Sequence, residues 1–305
     1  MTDLSVSIVN TSSRELLLAC LETLPRGADI VVLDNASEDG SADAVRERFP
    51  DVRVLAQDFR AGFGANHNTV IRATDGRYVY VLNEDTTSAD WAFEPIVAYL
   101  DAHPRVAALG PRVVYPDGRQ QASAWRFPTP VVSALGLLTV GKLGVTQSHG
   151  EQVRAVDWVT GAALVLRREA LEDVGLFDEE FFLYSEEVDL QFRLRQAGWE
   201  VHYFPDATVV HHESQFSAEI PERRINEMWR SRHRYWRKHH SGAGARVAAL
   251  ATGAQYAVRA AVAPLAHRSP RRMLLHARDA WRVDGPGLRE LADEWNGRVG
   301  STSRG

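Results

Sequence analysis

The first half of the chain alternates short, β-branched apolar runs with stretches whose apolar residues recur at helical spacing. "SVSIVN" (5–10), "DIVVLDN" (29–35), "VRVLAQ" (52–57), "RYVYVLNED" (77–85) and "VAALGPRVVY" (106–115) have the length and composition of strands. Helical patterns lie between and around them at 13–24, 41–49, 64–74 and 91–102. Such βαβ alternation predicts a mostly parallel sheet flanked by helices, because parallel neighbours need a long crossover and a helix usually supplies it. "AVDWVTGAALVLRREAL" (155–171) reads as a strand with a glycine-containing bend followed by a short helix, and "EVHYFPDATVVHH" (200–212) as a last strand. The segment 116–154, rich in Pro, Gly, Ser and Gln, reads as a long excursion over the sheet. No internal repeat or low-complexity tract is visible.

Composition narrows the class. A chain of 305 residues, 45% hydrophobic and 25% charged, can bury a sizeable core. The single cysteine, Cys20, falls on an apolar helical stripe with Leu16, Leu17 and Leu24, which excludes a disulfide framework and a cysteine metal site. The N-terminus "MTDLSVSIVN" has no basic region followed by a long apolar stretch, and the uncharged run 247–258 is too short to span a bilayer. A cytoplasmic protein with neither signal peptide nor transmembrane helix is expected. The net charge of −5 conceals an asymmetry: residues 221–305 hold 17 Lys+Arg against 7 Asp+Glu, while residues 1–220 hold 18 against 33.

In open α/β sheets ligands bind outside the carboxyl ends of the strands. Three polar clusters fall there: Asn10-Thr11, Asp34-Asn35 in "VVLDNASEDGS", and Asn83-Glu84-Asp85. Each alone is an ordinary turn or helix cap; their convergence suggests a nucleotide site, with Asp34 accepting hydrogen bonds from a base or ribose. "GFGANHN" (62–68) is a glycine-containing turn into a helix where backbone N–H groups can approach a nucleotide, without G-x-G-x-x-G spacing or a P-loop lysine. In "LNEDT", an Asp ending a buried strand offers hard oxygen to Mg²⁺ or Mn²⁺, a loop acid without metal being the alternative. His211 and His212, ending the last strand, supply a second candidate ligand or a merely polar strand end.

"FLYSEEVDLQFRLRQAGW" (182–199) crowds Glu186, Glu187 and Asp189 into the first turn of a helix. Acids there complement the helix dipole, and Asp189 can pair with Arg193. Glu187, Leu190 and Leu194 fall at i, i+3 and i+7, so the spacing predicts that Glu187 lies on the inward stripe, where its proton affinity rises as a general base requires.

The motif order "VSIVN", "VVLDNASEDGS", "GFGANHN", "YVLNED", "VDWVTGAALVLRREAL", "GLFDEEFFLYSEEVDLQFRLRQAGW", "VVHHES" resembles the family 2 glycosyltransferases of GT-A fold, and among them bacterial rhamnosyltransferases of cell-wall and O-antigen synthesis. The likeness covers roughly residues 4–217. It implies a Rossmann-like catalytic domain over 1–220, with a nucleotide-sugar half to about 115 and an acceptor half beyond, and a basic helical extension over 221–305. It further implies that Thr11 and Asp34, with Asn35 nearby, hold the base, that Asn68 supports the nucleotide-sugar pocket, and that Asp85 and His211 bind Mg²⁺ or Mn²⁺. Asn83 takes the first position of a D-x-D-like motif, contacting sugar, and Glu186-Glu187 stands where the family usually has Glu-Asp, with Glu187 as the base. Arg60 stands where relatives often carry Asn. The implied reaction is an inverting transfer, first expected from dTDP-rhamnose and alternatively from a UDP-sugar, to a glycan or lipid-linked acceptor. A nucleotide-sugar-binding protein that has lost catalysis through Asn83 and Glu187 is the rival. Trp125, Trp158 and Tyr184 are available to stack on the acceptor or to fill core.

"RRINEMWRSRHRYWRKHH" (223–240) sets Trp229 and Trp236 near one stripe among arginines, the composition of an interfacial helix. The expectation is peripheral attachment to the inner face of the membrane, the alternative being a helix packed on the catalytic domain or on a twin subunit in a homodimer. The acidic body makes nucleic acid an unsuitable partner.

Overall fold

The computed structural model describes residues 3–139, 145–212, 221–266 and 269–302. The first part runs β1 (Leu4–Asn10), α1 (Arg14–Thr23), β2 (Asp29–Asn35), α2 (Ser41–Arg48), β3 (Arg53–Gln57), α3 (Phe63–Arg72), β4 (Tyr78–Asn83), β5 (Thr86–Thr87), α4 (Phe93–Ala102) and β6 (Val106–Val114). Next come β7 (Gln120–Gln121), β8 (Ala124–Trp125), α5 (Pro130–Leu138), β9 (Arg154–Ala155), β10 (Trp158–Val159), β11 (Ala163–Arg167), α6 (Arg168–Val174), α7 (Glu186–Gln196) and β12 (Glu200–His211). The helices α8 (Pro221–His239), α9 (Gly242–Val262), α10 (Arg271–Trp281) and α11 (Leu288–Thr302) follow. The boundary expected after residue 220 adjoins residues 213–220, which lie outside the described residues, as do Glu213 and Ser214 of the "VVHHES" motif.

The main sheet orders its strands β3-β2-β1-β4-β11-β6-β12-β5. β1 pairs in parallel with β2 and β4, and helices on both faces bury these strands, which is why they read as continuous apolar runs. β11 is antiparallel to both β4 and β6, so the parallel sheet is reversed at the strand that follows the Gly161 bend. β12 runs parallel to β6 with a register break between Phe204 and Thr208, where Pro205 cannot donate to the ladder. The segment 116–154 carries more structure than expected, namely β7, β8, α5 and β9, with residues 140–144 outside the described ones. α5 has a regular start: Pro130 in its first turn, and Thr129 accepting a hydrogen bond from the Val132 N–H.

One apolar layer joins α1 and α4 to the sheet through Leu17, Leu21, Ile96 and Leu100; Leu171, Leu190 and Leu194 join a second on α6 and α7. Cys20 is wholly buried in the first layer, its Sγ 3.8 Å from Thr86 Oγ1, and burial pushes its thiol up to about 12.

α8 departs from expectation. Trp229 and Trp236 are 4% and 1% exposed and form a third core with Phe127, Phe181, Val188 and Tyr235. Trp236 Nε1 donates to Pro128 O at 2.7 Å, and Trp229 Nε1 to His276 Nδ1 at 3.1 Å. An apolar stripe ringed by arginines suits a membrane or a protein partner; here a protein surface takes it, and both indole N–H groups are satisfied there. Trp236→Phe keeps a ring but strands the Pro128 carbonyl. We expect a loss of about 1–3 kcal/mol, read as a lower urea midpoint at constant m; an unchanged midpoint would show that water replaces the indole donor.

Candidate active site

The carboxyl ends of β1, β2 and β4 converge as expected, with Asn10 opposite Asp34 and Val9 opposite Asn83. Asp34 is buried; its Oδ1 accepts from Asn10 Nδ2 at 3.4 Å and its Oδ2 from Ser37 N at 3.2 Å. Two accepted bonds leave the carboxylate further lone pairs. Asn35 works inside the protein: Nδ2 donates to Thr11 Oγ1 at 3.0 Å, while Oδ1 accepts from Ala61 N at 2.8 Å and Gln57 Nε2 at 2.7 Å. It braces the loops that follow β1, β2 and β3. Asn68 also acts at one remove, tying α3 to the next layer through Phe177 O and Glu179 Oε1, both at 2.9 Å, and through Phe177 N at 3.0 Å.

The glycines of "GFGANHN" serve close packing. A Cβ on Gly62 would lie 2.5 Å from Phe182 O, and one on Gly64 would lie 2.9 Å from Phe177 Cβ. The Phe63 N–H donates to Phe182 O at 2.8 Å. These bare faces admit the backbone leading to α7, which takes the Phe63 N–H.

At the end of β4, His211 Nε2 stands 3.2 Å from Asp85 Oδ1 and 3.5 Å from Asn83 Nδ2. Alternation along β12 sends the next side chain elsewhere: His212 Nε2 lies 3.1 Å from Thr87 Oγ1. His211 Nδ1 is 3.0 Å from Gln121 Oε1; a proton on Nδ1 donated to that oxygen would leave the Nε2 lone pair facing Asp85. A lone pair and a carboxylate oxygen at that distance repel unless a proton or a metal cation lies between them. Their separation matches two adjacent ligands of one small divalent ion, each about 2.0–2.2 Å from it. Glu84 turns away toward Ser13 of the α1 cap; burial, with the charge of Asp85, pushes its carboxyl up to about 7.

The three acids of α7 have separate fates. Asp189 is wholly buried and anchors α8, accepting from Arg193 Nε at 2.9 Å, His239 Nε2 at 2.7 Å and Lys238 Nζ at 2.7 Å. Burial alone would raise its proton affinity, but these partners hold it below the usual carboxylate range. Glu186, not Glu187, is the buried member of the pair, with its carbon chain near Gly64. Burial and the charge of Glu187 lift its carboxyl well above the ordinary value. The inward stripe holds for Leu190 and Leu194; at its head Glu187 is half-buried beside Gly161, with Oε2 itself buried. Burial raises the Glu187 proton affinity, Arg232 of α8 opposes the rise, and Oε2 has no hydrogen-bond partner among the described residues.

One turn links these groups. Glu187 borders Gly161, and the next residue, Ala162, accepts through its carbonyl from Asn83 N at 3.0 Å. Gln191 clamps β10 beside them, with Oε1 on Val159 N and Nε2 on Val159 O, both at 2.8 Å. Trp158 stacks on Trp125 with ring centroids 4.5 Å apart, and the Tyr184 hydroxyl accepts from Arg224 Nε at 3.0 Å.

Sequence reasoning missed Gln121, Arg232 and the docking of α11. Arg60 lies over the Trp295 ring at 4.4 Å; its N–H donates to Asn296 Oδ1 at 2.7 Å and its carbonyl accepts from Asn296 Nδ2 at 3.1 Å. Trp295 Nε1 donates to Glu38 Oε2 at 3.0 Å, so α11 grips the loops that follow β2 and β3. The unusual Arg60 is the only trace of this contact in the sequence.

Residues 2–234 match the family described as Glycosyltransferase like family 2. N-acetylglucosaminyl-diphospho-decaprenol L-rhamnosyltransferase of Mycobacterium tuberculosis is 33% identical over 239 residues, which is 71% of this chain and 77% of that protein. The mannosyltransferase PcManGT from Pyrobaculum calidifontis, solved with GDP-Man and Mn²⁺, aligns at a TM-score of 0.58 and 19% identity over 98% of this chain and 84% of that one. GalNAc-T7, solved with UDP, GalNAc and Mn²⁺, aligns at 0.54 and 16% identity over 76% of this chain, which spans 47% of the other. Since the family match runs from β1 into α8 and takes in the strand ends, the Gly161 turn and the acidic helix, the chain belongs to the family 2-like glycosyltransferases and is an enzyme of GT-A fold similar to rhamnosyltransferases.

Proposed function

We propose that the chain is an inverting, metal-dependent transferase that moves rhamnose from dTDP-rhamnose to a hydroxyl of a glycan or lipid-linked acceptor. The observation that carries this reading is the pairing of Asp85 with His211 Nε2 on one side of the Gly161 turn and a carboxylate of raised proton affinity, Glu187, on the other. Asp85 and His211 would hold Mg²⁺ or Mn²⁺, which when bound supplies a Lewis acid for the diphosphate leaving group. Gln121 keeps His211 in the ligating tautomer. Glu187 takes the acceptor hydroxyl proton onto a carboxylate oxygen as that hydroxyl attacks the anomeric carbon from the face opposite the diphosphate. One displacement inverts the configuration and needs no covalent enzyme intermediate. Thr11 and Asp34 stand at the nucleoside end, Asn83 beside the sugar, and Trp158 on the acceptor side.

The rhamnosyl choice is supported by the 33% identical relative, whose name gives a diphospho-decaprenol acceptor. The test is nucleoside diphosphate release from dTDP-rhamnose or UDP-sugars, with Mn²⁺ or Mg²⁺ and a lipid-diphosphate-linked N-acetylglucosamine acceptor. Release from dTDP-rhamnose with formation of the rhamnosylated product is expected. Release only from a UDP-sugar would replace the donor. Donor binding without release under any condition would favour a nucleotide-sugar-binding protein that has lost catalysis.

A further inference from the structure

No helix among the described residues is long and apolar enough to cross a membrane, yet three adjoining helices expose large apolar side chains. Among the described residues eleven large apolar side chains are well exposed, and nine of them lie on α5, α9 and α10. On α5, Val131, Leu135 and Leu138 recur at i, i+4 and i+7 and form one stripe, with Leu138 80% exposed. On α9, Val247, Leu250, Val258 and Val262 are exposed, Leu250 to 62%. α10 contributes Leu274 and Trp281. The helices adjoin: Gly136 of α5 admits Gln255 of α9, and Trp281 Nε1 donates to Leu250 O at 3.4 Å.

Charge says what covers this face. α5 has no charged residue and α9 no acid. The one acid of α10, Asp279, is wholly buried and bonded to Arg278. Arg246 of α9 and Arg271, Arg272 and Arg278 of α10 are exposed; Arg271 also lies 3.9 Å from Glu222 of α8, and Arg278 pairs with the buried Asp279. We propose that the α5–α9–α10 face is a docking surface for anionic lipid, on which the enzyme lies without spanning the bilayer. Apolar side chains enter the acyl boundary while arginines meet headgroup phosphates. A two-fold related second copy would set arginines against arginines, a like-charge contact that a lipid surface avoids. The surface differs from the one expected on α8, whose tryptophans are buried, and it includes α5, outside the basic extension. α5 begins five residues after Trp125, one of the aromatics of the proposed acceptor side. That link to the acceptor rests on the proposed function; lipid binding does not.

The test is sedimentation of the full-length protein with vesicles. Vesicles of phosphatidylglycerol and phosphatidylcholine should bind it at about 0.1 M salt and release most of it at about 0.5 M, while pure phosphatidylcholine should bind at least about tenfold less. Leu135→Glu combined with Leu250→Glu should weaken binding to the anionic vesicles at least about tenfold without lowering the melting temperature. Absence of wild-type binding to anionic vesicles at low salt overturns the proposal, as does equal binding by the folded double variant. If the double variant does not fold, quenching by brominated phosphatidylglycerol decides: wild type should lose more fluorescence than Trp281→Phe, and equal loss overturns the proposal. A wild-type dimer in lipid-free solution that the double variant converts to monomer assigns the face to a second copy instead.

Discussion

Glu187→Gln is expected to lower sugar transfer by about 10²–10⁴-fold while leaving binding of the nucleotide-sugar unchanged. The amide keeps the volume beside Gly161 and removes only the ability to take a proton. The pH profile carries the same assignment. Burial raises the proton affinity of Glu187, so the base is charged only above that raised value. Hence kcat/KM falls as pH drops through it, and this acid limb lies above the value of about 4.3 for an unperturbed Glu. In Glu187→Gln the limb disappears from the residual activity. Retention of more than about a tenth of the turnover would remove Glu187 from the role of base.

The reading of Glu187 marks what a sequence can say about this fold. β2 over Asp29–Asn35 and β4 over Tyr78–Asn83 were legible because strands buried on both faces are apolar throughout, and their ends announce themselves with polar residues. Asp85 and His211 were legible for the same reason. Helical spacing put Glu187 on the Leu190–Leu194 stripe but could not say where along α7 that stripe leaves the core, since the cleft wall is Gly161, 26 positions away. Gln121 and His211 are 90 residues apart, and Arg60 and Asn296 are 236 apart; no local pattern records such meetings. The Trp229–Trp236 stripe was visible, but its partner was not, because lipid and protein select the same periodicity. Gly62, just before α3, likewise announced a close approach without naming Phe182 as the group that approaches.

The second large effect concerns the metal pair. Asp85→Ala and His211→Ala are each expected to lower transfer by on the order of 10²-fold or more, because each removes a proposed ligand of the ion that stabilises the leaving diphosphate. In thermal-shift titrations, Mn²⁺ should raise the stability conferred by nucleoside diphosphate on the wild type and fail to do so in either variant. Gln121→Ala leaves both ligands in place but frees the imidazole to change tautomer; its Mn²⁺ requirement should rise about 10–100-fold with turnover at saturating Mn²⁺ largely kept. Full activity of the wild type in excess chelator would exclude the ion and shift leaving-group stabilisation to a cationic side chain.

The burial of Cys20 makes the protein chemically silent toward thiol reagents in its native state. A thiol pushed up to about 12 carries almost no thiolate at neutral pH, and no route from solvent reaches it between Leu17 and Leu21. Modification must therefore wait for the layer between α1 and the sheet to open, and its rate becomes a clock for that opening. The same silence lets Val131→Cys on α5 serve as the sole labelled position, with the native thiol left in place to report that the layer between α1 and the sheet has stayed closed.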